Sequence, residues 1–306
     1  MQTHANSHMN TRIPARIVKL SVSVLFCGAS AVGDAVMALL GLRHSRGGVV
    51  VYYHAVHTEH RSRFAHQMDM VLRWAKPVAA FQREPCRPGE RCVAITFDDG
   101  LESVLENALP ELERRRIPAT VFVVVQSLGK HPVWMASDPQ SVDSSKIMSL
   151  EQLRNLASDL VTIGSHSLTH PRLTELNETE VRKEIFDSRT QLRNILHREI
   201  TLFSFPYGTF TDALVQHCRE AGYERVFTTL PQSAFKQPEE FVSGRIVVEP
   251  TDWRLEFYLK ILGAYRWLPV AFALKRRLKL GLRSSQRPRR QVDARNNRES
   301  CTARLR

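Results

Sequence analysis

A chain of 306 residues, 43% hydrophobic and 24% charged, holds enough apolar sequence to bury a sizeable core in one large domain or two small ones. Its formal charge of +12 would suggest a polyanionic partner if it were evenly spread, but residues 272–306 carry 12 Lys and Arg against Asp293 and Glu299, leaving +2 for the rest. That distribution argues against nucleic-acid binding by the body of the protein. Cysteines 27, 86, 92, 218 and 301 are odd in number and follow no repeated spacing, as reduced or incidental thiols do, with a Cys86–Cys92 bridge conceivable only in an oxidising compartment.

The first segment, residues 1–45, contains VKLSVSVLFCGASAVGDAVMALLGL from Val18 to Leu42, about long enough to cross a bilayer, which takes roughly 20 apolar residues. Asp34 interrupts it, so a helix lying on a membrane surface is the preferred reading over a span, a cleaved signal or a packed globular helix. Seven apolar, β-branched runs of strand length follow, beginning at Val49, Cys92, Ala119, Leu160, Thr201, Arg225 and Arg245. Most are too continuously apolar for half-exposed hairpin strands. Helical patterns at 102–116, 149–158, 177–197 and 211–222 separate them, with helix-start boxes at Ser149/Gln152 and Asn177/Glu180. Alternating strands and helices imply a parallel α/β sheet with helices outside, in a domain spanning 46–265. Two long interruptions, 57–91 and 126–146, predict lids or extra elements. The last segment, 266–306, reads as a basic helix and tail that would be either solvated or drawn to an anionic membrane surface.

In parallel α/β folds chemistry gathers at the C-terminal strand ends. These strands end in His54, in Asp98-Asp99, in His166 with His170, in Pro206-Tyr207-Gly208, and in Glu249 near Asp252. A lone HxxxH or a lone Asp-Asp-Gly is ambiguous, since the first is often structural and the second often a turn. Their convergence on one rim is what points to a site. Two adjacent carboxylates resist joint ionisation unless a cation neutralises one of them. One carboxylate with two imidazoles suits a borderline divalent ion such as zinc, and leaves the other carboxylate free to take a proton from water.

TFDDG, HSLTH and FPYG, in that order, resemble the motif series of the polysaccharide deacetylases, the NodB-homology or carbohydrate esterase family 4 domain, over roughly 47–250. The resemblance implies a distorted (β/α)7 barrel and hydrolysis of N-acetyl groups on amino sugars. It implies Asp98 as general base, Asp99, His166 and His170 as ligands of a divalent metal, most often zinc, and the backbone N–H of Tyr207, in Pro206-Tyr207-Gly208, as an oxyanion donor. Two departures stand out. Where the family carries an Arg before PYG, this chain has Ser204, and no histidine follows Asp252 to supply the general acid. VVVYYHAV, placed before TFDDG, resembles the relocated last strand of a circularly permuted branch that includes poly-N-acetylglucosamine deacetylases, which makes His54 the candidate acid. Arg245 could orient Asp98, although at the start of a regular seventh run it would lie at the wrong strand end. Asp252 and Trp253 in PTDW vaguely resemble the motif whose Asp tunes the catalytic His and whose Trp lines the substrate groove, though helix capping would account for Asp252 equally well.

The expected substrates are an N-acetylated glycan of an exopolysaccharide or cell wall, or a lipid-linked precursor. A deformylase of a lipid-linked sugar and a non-catalytic carbohydrate-binding or scaffold protein are the alternatives, the second motivated by Ser204. A metal phosphoesterase would want more carboxylates and a basic phosphate clamp at the rim. Free thiols and the basic tail favour the cytoplasmic face of an inner membrane, with a periplasmic or secreted location also open.

Overall fold

The computed structural model describes residues 5–42, 47–135, 146–156 and 159–275. The basic tail from residue 276 and the middle of the 126–146 interruption lie outside these residues. Chain contacts divide the protein into two units, Met1–Pro269 and Val270–Arg306; the N-terminal helix, the strands with the helices that accompany them, and the motif residues all belong to the first.

Continuous apolar runs become strands buried on both faces, because a parallel sheet covered by helices leaves neither face to water. Strands β1 (Val49–Tyr53), β2 (Cys92–Phe97) and β3 (Ala119–Val123) are buried at every position. They continue in β4 (Val161–Ser165), β5 (Leu202–Ser204), β6 (Arg225–Phe227), β7 (Val242–Ser243) and β8 (Ile246–Val247). All pair in parallel, in the order β7-β6-β5-β4-β3-β2-β1-β8, with a two-residue strand, Lys76–Pro77, beside the start of β2. The sheet curls so far that one short segment serves both of its edges: Val242 and Ser243 pair with β6, while Ile246 and Val247 pair with β1. The architecture is thus a curled parallel half-barrel in which the segment 242–247 plays the seventh stave, as the (β/α)7 expectation required.

Helices α2 (Arg61–Trp74), α3 (Leu109–Arg114), α4 (Leu150–Asn155), α5 (Glu178–Arg182), α6 (Ser188–Leu196), α7 (Asp212–Glu220) and α8 (Arg254–Ile261) accompany the strands. Helix α2 explains the long interruption after β1: it is an extra element, burying Phe64, Met68 and Val71. Both helix-start boxes are present, Ser149 with Gln152 and Asn177 with Glu180 exchanging side-chain-to-backbone bonds in both directions. The continuous helices expected over 102–116 and 177–197 are each broken by a π turn, at Val104–Ala108 and Lys183–Asp187. Such turns insert one residue and re-aim side chains, and they are frequent beside functional sites.

The N-terminal helix, α1, spans Ala5–Leu39. Its portion Pro14–Leu39 is long and apolar enough to cross a membrane and is almost wholly uncovered. It is joined to the barrel by Arg16, which bonds Glu256 at 2.6 Å, and by Ser23, which accepts from the Trp267 indole at 3.0 Å. Leu25, Val32 and Leu39 remain exposed.

Candidate active site

Strand ends place the motif residues around one cavity of about 230 Å³, lined by His54, Asp98, Asp99, Trp134, His166, His170 and Tyr207 among others. His54 follows β1, Asp98 and Asp99 follow β2, His166 follows β4, and Tyr207 lies beyond β5. The backbone here is held in conformations that L-residues rarely adopt. Asp99, Ser167, His170 and Tyr207 all have φ between 58° and 70°, and each such residue costs of order 1–3 kcal/mol that surrounding contacts must offset. Gly100 and Gly208 share that region, and a methyl at Gly208 would run into Thr229.

Asp99, His166 and His170 converge so that one ligand atom from each lies within 4.8 Å of the others, and all three are buried. Nε2 of His166 and of His170 approach Asp99 Oδ1 at 3.6 and 3.4 Å. Burial, followed by the neighbouring His166, pushes His170 down to about 2, so its imidazole is neutral. The opposite ring nitrogen of His166, Nδ1, donates to the Ser204 carbonyl at 2.8 Å, which fixes the tautomer and leaves the Nε2 lone pair free. Asp99 Oδ1 is buried without a hydrogen-bond partner among the described residues. A buried carboxylate oxygen facing two imidazole lone pairs is costly unless a cation sits between them, so the donor set fits a divalent ion of the zinc type.

Asp98 is handled differently. Burial alone would raise its carboxyl, but the charge of Arg245, helped by His166, outweighs burial and holds it well below the usual carboxylate range. Arg245 is itself fully buried and grips Asp98 with both terminal nitrogens at 2.7 Å. Its remaining donors reach Ser204 Oγ at 2.7 Å, Thr96 Oγ1 at 3.2 Å and the Thr228 carbonyl at 3.3 Å, while its plane rests 4.6 Å from the Tyr52 ring. This corrects the expectation that Arg245 would lie at the wrong strand end. The seventh run starts at Val242, so Arg245 stands in its middle, between the residues that pair with β6 and those that pair with β1. Ser204 is the other half of the arrangement, since a small buried residue there leaves room for a guanidinium arriving from another strand.

The loop carrying HSLTH is pinned by Glu184 of the second π turn, a residue that sequence reasoning missed. Its carboxylate accepts from the N–H groups of Leu168 and Thr169, both at 2.9 Å, and from Thr169 Oγ1 at 2.6 Å. Ser167 Oγ accepts from His170 N at 3.0 Å. No signal in the sequence marked it, since 177–197 reads as an unbroken helical pattern and the π turn that aims Glu184 is not visible there. Trp134, on a short turn within the second long interruption, was likewise missed; it stacks on His170 with ring centres 4.2 Å apart. Tyr207 packs against the other side of that cluster, 4.8 Å from His170, and carries Arg172 over its ring at 4.1 Å. Pro206 is buried.

Asp252 and Trp253 are not brought to the cavity. Asp252 accepts from Lys260 Nζ at 2.7 Å and from Glu249 N at 3.2 Å, while Trp253 lies under Arg16, 4.4 Å from its guanidinium. Helix capping does not account for Asp252 either: Trp253 occupies the N-cap position of α8, with no side-chain cap. Asp252 instead belongs to a largely buried ion cluster with Lys260, Glu256 and Arg16 that ties α1 to α8.

Residues 86–226 match the family model described as Polysaccharide deacetylase. A Bacillus subtilis (strain 168) protein named as the polysaccharide deacetylase YxkH is 28% identical over 165 residues, 54% of each chain. The poly-beta-1,6-N-acetyl-D-glucosamine N-deacetylase of Staphylococcus aureus (strain MSSA476) is 24% identical over 162 residues, 52% of this chain and 55% of the relative. The chain thus matches about half the length of these curated relatives. Among solved structures, IcaB from Ammonifex degensii aligns with a TM-score of 0.60 and 22% identity, covering 73% of this chain and 98% of that one. The Streptococcus pyogenes deacetylase PplD aligns with a TM-score of 0.56 and 19% identity, covering 70% and 98%. These likenesses establish the fold.

Proposed function

We infer, from the polysaccharide deacetylase domain that this chain carries, that it is a metal-dependent hydrolase removing N-acetyl groups from amino sugars of an exopolysaccharide, a cell-wall glycan or a lipid-linked precursor. The observation that carries the reading is the buried cluster of Asp99, His166 and His170 beside a separately clamped, ionised Asp98. Asp99, His166 and His170 would hold a divalent metal, with zinc the best fit to the donors, and the metal would supply Lewis-acid polarisation of the acetamide and of water.

The protein's own groups have distinct tasks. Asp98, held ionised by Arg245, takes a proton from the attacking water. The backbone N–H of Tyr207 receives the developing oxyanion, an interaction whose loss in other enzymes costs about 2.7–4 kcal/mol. His54, on the same cavity, gives a proton to the departing amine. Acetate and a free amine are the products. The scaffold alternative drew its motive from Ser204, and Arg245 in the space beside Ser204 takes that motive away. Removal of a formyl group would use the same residues, so a deformylase differs only in the acyl group offered.

The substrate reading is supported by the staphylococcal relative's named activity on poly-beta-1,6-N-acetyl-D-glucosamine. Membrane association through α1, favoured on the cytoplasmic face by the sequence's thiols and basic tail, would set the enzyme beside a lipid-linked or nascent glycan. Reporter fusions at each terminus test that topology.

The deciding experiment measures metal content and acetate release from short N-acetylglucosamine oligomers for the wild type and His54→Ala. About one zinc per chain with release that collapses in the variant is the expected result. Metal without release from any acetylated or formylated glycan would refute the catalytic reading, and undiminished release by His54→Ala would refute the assignment of the acid.

A further inference from the structure

His170 differs from His166 in what holds its ring. A metal-binding histidine almost always donates its second ring nitrogen to a carboxylate or carbonyl, which fixes the tautomer and the ring plane. His166 does so through Ser204, whereas Nδ1 of His170 is buried without a hydrogen-bond partner among the described residues. What restrains His170 is aromatic. Trp134 lies nearly parallel to it, at 4.2 Å and 20°, and Tyr207 closes on it at 4.8 Å and 58°.

Trp134 brings a polar group as well. Its indole Nε1 is buried with no hydrogen bond made among the described residues, and it faces the Asp99 carboxylate, whose Oδ1 is equally without a partner among them. A buried indole N–H left unmade costs roughly 1–3 kcal/mol, so its orientation toward an acceptor needs a reason. Trp134 sits on the turn Val133–Met135, flanked by the strongly exposed Val133, so burial of the whole turn does not supply that reason.

We propose that Trp134 is a positioning residue for the metal centre, its ring setting the plane of His170 and its indole N–H donating to the Asp99 carboxylate when the three ligands are loaded. One residue would then orient two of the three ligands and close the cavity wall over them. Trp134 does the orienting that a hydrogen bond does at His166. The proposal rests on the metal-centre reading above.

Zinc affinity, measured by competition with a chromophoric chelator, tests it without any assumption about substrate. Trp134→Phe keeps the stacked ring and loses the N–H, and Trp134→Ala loses both. Outer-shell changes of this kind typically cost 10–100-fold in metal affinity. The expected order is wild type, then Phe, then Ala, with Ala weakened by about that range and metal-free melting temperatures close to wild type. Zinc affinity of Trp134→Ala within about twofold of wild type would overturn the proposal while leaving the metal centre standing, provided His166→Ala still abolishes binding. Failure of the wild type to bind zinc, cobalt or manganese would overturn the metal reading, and this inference with it. Trp emission supplies a second readout: cobalt should quench a component in the wild type that is missing in Trp134→Phe, and equal quenching in both would count against the placement.

Discussion

Replacing Arg245 by Met isolates the contribution of the clamp on Asp98. Met keeps an unbranched side chain of comparable length in the space but removes the guanidinium that lies over the Tyr52, Phe122 and Phe227 rings, so the change is chiefly the loss of a charge and its ring contacts. Asp98 is only 3% exposed and loses both of its charged hydrogen bonds, retaining a 3.3 Å contact from Ser204 Oγ. Removing one partner of such a buried pair costs roughly 3–5 kcal/mol, because the other charge stays desolvated and uncompensated. Denaturant unfolding at neutral pH should therefore show a loss of about that size, and Arg245→Met combined with Asp98→Asn should recover most of it.

The pH dependence gives a test of sign. In the wild type the Asp98 carboxyl lies below its ordinary value of 3.8, so its contribution to stability is complete above that pH and is lost as pH falls through the depressed value. In Arg245→Met burial, which raises the carboxyl, is opposed only by the nearby His166 and His54, so the carboxyl moves upward from its wild-type position. The variant therefore takes up the Asp98 proton at a higher pH than the wild type, and the rise of stability with pH that this group gives the wild type below 3.8 is diminished or reversed. A loss under about 1 kcal/mol together with parallel pH profiles would refute the claim that Arg245 and Asp98 form an energetically coupled pair.

Asp98→Asn should abolish turnover while metal content stays at the wild-type level, whereas His166→Ala should lose both; atomic absorption alongside acetate release separates the two. Gly208→Ala places a methyl against Thr229 at a residue with φ of 67°, so it should destabilise by at least about 1 kcal/mol and lower activity through the adjoining Tyr207, as melting and turnover would register. Glu184→Ala leaves the N–H groups of Leu168 and Thr169 without their acceptor, at roughly 1–3 kcal/mol for the buried Leu168 amide and less for the water-accessible Thr169, and hydrogen exchange at those amides should rise above the wild type.

The fold was legible because its signals are local. Each apolar run is long enough to be a strand and each box marks a helix start within four residues, so Ser149, Asn177 and the seven runs could be read without knowing what lies next to them. The π turns were not legible, since 102–116 and 177–197 keep an unbroken helical pattern and the inserted residue is tolerated through tertiary contacts such as those of Glu184. Among site residues, Asp98, Asp99, His166, His170 and His54 stand at strand ends and are brought together by the barrel itself. Trp134 could not be foreseen in this way, because it arrives from a long connection whose path no periodicity describes.

Ser204 and Arg245 show why the remaining difficulty is spatial. Read singly, Ser204 is a lost arginine and Arg245 a charge inside a strand, and each looks like an argument against catalysis or against the strand. Residue 204 closes β5 and residue 245 lies in the segment that joins the two sheet edges, 41 positions later. Only the curl of the sheet turns both side chains to one interior point, where the absence of bulk at the first makes room for the guanidinium of the second. What the site requires is a full set of donors on one oxygen pair, with five N–H groups matched to acceptors and no charge left alone in the barrel. That requirement is met by geometry and can be supplied from any strand that reaches the axis. A motif written along the chain records one such route, and this protein uses another.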